Sequence, residues 1–250
     1  MYKILFALVF ISGLVFPQSD HVEVGIDEKL NSYIPLDAEF YNSEGNKIKL
    51  GEIIDKPVLL ALVYYECPGL CSPLLTELGW VIDKVELESG IDYKVITISF
   101  NQNENYQIAA RWKKNYFSSM QRKIDPKAWL FLTGDSTNIH KLTNSVGFYF
   151  KPYGKDFVHA STLITLSPKG KITRYLFGPS FNQFDVKMAL LEAKSGKSSP
   201  TISKILEFCY SYNPTGRSYT LNITKIVGVV MLTTLVIFFV FVVNKKRRKE

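Results

Sequence analysis

The hydrophobic pattern changes character several times along the chain. Residues 4–16 form one apolar run near the start, and residues 226–243 a second, uncharged one near the end. Between them the pattern is that of a folded domain. Residues 58–65 (VLLALVYY) are continuously apolar and bounded by Lys56-Pro57 and Pro68-Gly69, as expected of a strand buried on both faces. Residues 93–100 (YKVITISF) read as a second buried strand and residues 129–132 (WLFL) as a short third one. Leu74, Leu75, Leu78, Val81, Ile82 and Val85 recur at helical spacing. Ser72 is the expected N-cap of that helix, Pro73 its first residue and Gly90 its C-cap.

Further helices are expected over 103–117 (with Ile108, Ala109, Trp112 and Tyr116 inward), from Asp135 or Ser136 to Gly147, over 186–194, and over 202–208. Short strands at 38–41 and 48–50 flank a polar turn. Strands at 161–166 and 172–177 are joined by Ser167-Pro168-Lys169-Gly170 as a β-hairpin. Residues 151–155 read as a loop. The order β-β-(β-α)-(β-α)-β-α-β-β-α predicts one α/β domain with a mixed central sheet, parallel strands in the middle and a hairpin at the edge. A thioredoxin-like fold has this order.

The two terminal runs differ in kind. Lys3 followed by the short run at 4–16 predicts a signal peptide over residues 1–18, with no cysteine nearby for lipid attachment. The run at 226–243 approaches the ~20 residues that a membrane span needs, so a transmembrane helix is expected over 224–244. The tail at 245–250 carries five positive charges and one negative, which places it in the cytoplasm. Both signals put the thioredoxin-like domain, residues 20–215, outside the cytoplasm, on the periplasmic side in a bacterium. Charge adds one exclusion. The formal net charge is +7, but without the tail's net +4 the chain is left at +3, too little to suggest nucleic-acid binding.

Three cysteines are too few for a disulfide scaffold and are read one by one. Cys67 and Cys71 fall at the turn between the 58–65 strand and the following helix, where a helix N-terminus favours thiolate. Such a pair can bind a soft metal, exchange disulfides or form a structural clip. Cys209, in Phe208-Cys209-Tyr210, reads as a buried packing residue. Of the three histidines, His21 lies in the post-signal segment and His140 on an outward helix face. His159 precedes the strand that a thioredoxin-like sheet sets antiparallel to the strand before the cysteines, so its start lies beside their turn. Two thiolates and an imidazole suit copper, with zinc as the competitor.

At these residues the chain resembles the Sco/SenC family of thioredoxin-like copper proteins that take part in cytochrome c oxidase assembly. The likeness runs through Cys67-Pro68-Gly69-Leu70-Cys71, Trp129-Leu130-Phe131-Leu132-Thr133-Gly134, Val146-Gly147-Phe148, the segment from His159 to Lys169-Gly170, and Phe208-Cys209-Tyr210. It implies that Cys67, Cys71 and His159 bind copper. It also implies that the protein supplies copper to, or reduces the cysteines of, the copper-bearing oxidase subunit or another extracytoplasmic thiol or copper protein. The chain departs from the family pattern where Asn101-Gln102-Asn103-Glu104-Asn105 replaces an Asp-Pro and Thr-Pro loop, and in its C-terminal anchor. The rival expectation is a thiol–disulfide oxidoreductase that uses the same Cys67/Cys71 pair. A peroxidase is disfavoured because no Thr-x-x-Cys motif is present.

Overall fold

The computed structural model describes residues 24–199 apart from 68, 70, 155 and 179, together with 210–213, 218–221 and single positions between 227 and 238. The signal expected at 1–18, the helix expected at 202–208, His21 and Cys209 lie outside the described residues.

A seven-stranded mixed sheet forms the centre. Its middle strand pair is β4 (Val58–Val63) and β5 (Lys94–Ser99), which run parallel with Leu60 opposite Ile96. Every residue of β4 is buried, so the continuous apolar run is covered on both faces. On one side β6 (Trp129–Thr133) continues the parallel order, followed by the hairpin of β2 (Glu39–Asn42) and β3 (Lys47–Lys49). On the other side the hairpin of β10 (Thr162–Leu166) and β11 (Ile172–Phe177) pairs antiparallel with β4. Both edges of the sheet are therefore hairpins; the sequence leads us to expect both hairpins but places only one of them at an edge.

The helices follow from their signals, with one shift. Helix α1 (Leu50–Ile53) is a single turn after β3, and α2 is Cys71–Lys84. The expected start, with Ser72 as cap and Pro73 as first residue, is displaced by two positions, because α2 opens at Cys71. Pro73 stays within the first turn, where its missing N–H has no intrahelical partner to lose. Helix α3 (Tyr106–Ser119) is capped by Asn105, whose side chain accepts the N–H of Gln107 and Ile108. Helix α4 (Ser136–Ser145) is capped by Asp135, as its sequence predicts. Helix α5 is Gln183–Lys194.

Three smaller pairings complete the description. β1 (Gly25–Ile26) pairs with β7 (Phe148–Tyr149), and Gly147 makes this possible. Its φ is +61, and a Cβ there would run into the Asp27 carbonyl. Part of the loop expected at 151–155 is strand instead: β8 (Lys151–Tyr153) pairs with β9 (Asp156–Val158) in a small hairpin, with Gly154 at φ +63. β12 (Tyr210–Asn213) and β13 (Ser218–Leu221) form a third two-stranded unit. No helix among the described residues is long and apolar enough to cross a membrane. Most of the span expected at 224–244 lies outside them.

Candidate metal centre

The end of β4 is held rigidly before the first cysteine. Tyr65 is buried, and its hydroxyl lies within hydrogen-bond reach of the carbonyl oxygens of Thr97 (3.1 Å) and Leu132 (2.9 Å). The Glu104 carboxylate accepts the backbone N–H groups of Tyr65 and Glu66, both at 2.8 Å. The chain then turns, with the Cys67 N–H donating to the Tyr64 carbonyl at 3.3 Å. Cys67 is 9 % exposed and Cys71 only 1 %. Both are free thiols.

The two sulfurs have different surroundings. The Cys67 sulfur accepts the Gly69 N–H at 3.3 Å. Burial works against its thiolate. Donors from the Tyr64 hydroxyl, the Cys71 and Gly69 N–H groups and the Cys71 thiol outweigh it, holding Cys67 below the ordinary thiol value. Burial pushes the Cys71 thiol well above the ordinary value. The pair is thus one stabilised thiolate and one deeply buried thiol.

His159 arrives from the opposite edge. Only three residues separate β9 from β10, and the antiparallel pairing of Leu163 with Ala61 brings that junction beside the cysteine turn. Its Nδ1 lies 2.8 Å from the Ala160 carbonyl, which can only accept, so Nδ1 carries the proton. The Nε2 lone pair then faces Cys71 Sγ at 3.5 Å. Tyr64, Phe100 and Phe148 surround the imidazole, with ring centroids at 5.9, 5.1 and 6.2 Å. Burial among them pulls the His159 pKa below its usual value.

The ligand atoms of Cys67, Cys71 and His159 all lie within 4.8 Å of one another. Two sulfurs and one neutral imidazole nitrogen are a soft donor set in a partly buried pocket, the chemistry that suits a soft metal. All three residues singled out by sequence are brought together. His140 is not, since it is exposed on α4 and stacked on Phe150 with centroids 5.7 Å apart. Two contributors had no sequence signal strong enough to find them. The Tyr64 hydroxyl sits between the Cys67 sulfur and Asp156 Oδ1 at 3.5 Å. Glu104 was one polar residue in a polar loop.

Comparison with known proteins bears on the fold and the family. A solved structure from Aquifex aeolicus VF5 is 30% identical, covering 68% of this chain and 96% of that one, with a TM-score of 0.61. A second from the same organism is 26% identical, covering 67% and 99%, at a TM-score of 0.55. Arabidopsis thaliana ScoI, solved with copper bound, is 18% identical, covers 63% and 96%, and at a TM-score of 0.53 shows the shared fold. No curated protein matches the chain. The SCO1/SenC family model matches residues 29–189, well over half of the sequence, and the chain therefore belongs to the SCO1/SenC family.

Proposed function

We propose that this protein is a membrane-anchored copper-binding assembly factor, with Cys67, Cys71 and His159 as the ligands. The observation that carries the reading is the convergence of two sulfurs and a correctly tautomerised imidazole within 4.8 Å. Bound copper supplies a soft, one-electron centre. The chain's own residues do the rest. Tyr64 and the backbone N–H groups hold Cys67 as thiolate, the Ala160 carbonyl orients His159, and the surrounding aromatic rings restrict water. Family membership supports a client among cytochrome c oxidase assembly partners, namely the copper-bearing subunit. Copper delivery and reduction of that subunit's cysteines are both compatible with the site.

Redox state gates loading. Oxidation of the Cys67 thiolate and Cys71 thiol to a disulfide, by exchange with an external disulfide that takes up the two electrons and the one proton released, leaves neither sulfur free to bind metal. Topology follows from the sequence: a signal at 1–18, residues 20–215 outside the cytoplasm, a span at 224–244 and a cytoplasmic tail at 245–250. The exposed apolar residues Val227, Met231, Leu235, Ile237 and Phe238 support the anchor.

The second reading, a thiol–disulfide oxidoreductase, is favoured by the asymmetry of the pair, with a stabilised Cys67 thiolate as attacking group and a buried Cys71 as resolving thiol. Copper titration of the reduced full-length protein and of His159→Ala separates the two. One copper per wild-type chain, with affinity reduced more than about 100-fold in the variant, is expected. Absence of stoichiometric binding by wild type, with disulfide exchange intact in both proteins, would establish the oxidoreductase instead.

A further inference from the structure

Glu104 is a buried carboxylate with no ion-pair partner among the described residues. It is 5 % exposed and lies between β5 and the Asn105 cap of α3. All of its contacts donate to it. Oε1 accepts the Glu66 N–H at 2.8 Å, while Oε2 accepts the Tyr65 N–H at 2.8 Å and the Ser99 hydroxyl at 2.6 Å. Ser99 is held in turn, its Oγ accepting the Asn101 N–H at 3.1 Å. Burial pushes the Glu104 carboxyl above its ordinary value, and the three bonds work against that: two come from N–H groups that can only donate, and with the Ser99 hydroxyl they favour the anion.

Two properties follow from this placement. The first is mechanical. The two N–H groups belong to the residues directly before Cys67, so the carboxylate fixes the backbone from which the first ligand hangs. The second is electrostatic. The carboxylate is bonded to the two residues directly before Cys67, and its charge adds to the larger effect of burial in disfavouring a second negative charge at Cys71. The same charge attracts whatever cation the centre holds, and it attracts a dication more than a monocation.

We propose that Glu104 is a positioning residue for the Cys67–Cys71–His159 centre, anchoring the ligand loop and supplying a fixed negative charge that favours Cu(II) over Cu(I). The inference rests on the copper reading above for its second half only. A residue that merely braced the loop would make the site looser without preferring either oxidation state. A fixed charge shifts the one-electron equilibrium, in which the copper alone gains or loses the electron and no protein bond changes.

The test uses the full-length protein and three variants. Glu104→Gln keeps size and one acceptor but removes the charge. Ser99→Ala removes one hydrogen bond and leaves the charge in place. Glu104→Ala removes both charge and anchor. The Cu(II)/Cu(I) potential is measured on copper-loaded wild type, Glu104→Gln and Ser99→Ala. The ratio of Cu(II) to Cu(I) affinity is expected to fall at least tenfold in Glu104→Gln, a rise of about 59 mV. Ser99→Ala is expected to show no rise. Equal rises in both variants, or none in Glu104→Gln, overturn the charge role. The anchor is read without metal, from hydrogen exchange at the Tyr65 and Glu66 amides. Glu104→Ala is expected to accelerate both at least tenfold relative to wild type, and unchanged rates overturn the anchor. If wild type takes up no copper, the copper reading and the charge role fall together, while the exchange rates still decide the anchor.

Discussion

Replacing Tyr64 by Phe removes one oxygen and leaves the packing in place. The ring stays against Phe100, Phe157 and His159, at centroid distances of 5.6, 5.2 and 5.9 Å. What is lost is the hydroxyl that donates to the Cys67 sulfur and reaches toward Asp156. A hydrogen bond to a charged group contributes about 1.5–3 kcal/mol. The lower end applies here, because Cys67 keeps its backbone donors and the single hydroxyl proton is shared with Asp156 Oδ1 at 3.5 Å. About 1.5 kcal/mol corresponds to a rise of roughly one unit in the Cys67 pKa. Removing the hydroxyl also leaves the Asp156 carboxylate less shielded from the thiolate, which acts in the same direction. The assay is thiolate absorbance against pH in reduced, metal-free protein carrying Cys209→Ser, so that Cys67 and Cys71 are the only thiols present. Cys71 is pushed well above the ordinary thiol range, so the first thiol transition belongs to Cys67. An unchanged or lowered midpoint in Tyr64→Phe would refute the account of how this thiolate is stabilised.

The remaining predictions concern the fold around the site. Burial lowers the folded-state pKa of His159, so its contribution to stability is complete above the unfolded value of about 6.5 and is lost as pH falls from there through the folded value. Urea midpoints of the reduced, metal-free protein should therefore drop between about pH 7.5 and pH 5.5, and drop less in His159→Gln; parallel slopes would contradict the burial argument. Gly147→Ala should cost well over about 1 kcal/mol in denaturant unfolding, because the new Cβ meets the Asp27 carbonyl at a left-handed position. Glu66→Gln breaks an exposed pair with Arg111 at 2.6 Å and should change stability by less than about 1 kcal/mol, so a larger loss would show that this ion pair helps hold the ligand loop.

Legibility in the sequence followed the strength of the local signal. The buried strand β4 announced itself because only a two-face-covered strand tolerates eight consecutive apolar residues. The dithiol was visible from its place between that strand and a helical period. His159 needed one more step, the antiparallel return of β10 beside β4, and topology supplied it. Residues acting at a distance in sequence stayed hidden. Glu104 is 37 positions from Cys67 in the chain and touches the ligand loop only through backbone N–H groups, which leave no trace in residue type. The Tyr64 hydroxyl was masked by its ring, which fits the apolar run. The β8–β9 hairpin was missed because both strands are three residues long and mostly exposed, so no alternation marks them. The start of α2 lies two residues before the Ser72-Pro73 signal, because Pro73 is tolerated anywhere in the first turn and so marks that turn rather than its first residue.

Cys71 and His159 are 88 residues apart in the chain, and four strands of the central sheet carry the path between and beside them. An unfolded chain scatters these ligands, so the complete donor set exists only after β10 has docked on β4. Order of events follows from that geometry. Binding by all three ligands must follow folding, and an occupied centre then stabilises the β4–β10 seam by mass action, by about 2.7 kcal/mol when free ligand stands at a hundred times its dissociation constant. A vacant protein and a metal-bound one should therefore differ in lifetime against proteases, the bound form being cut more slowly.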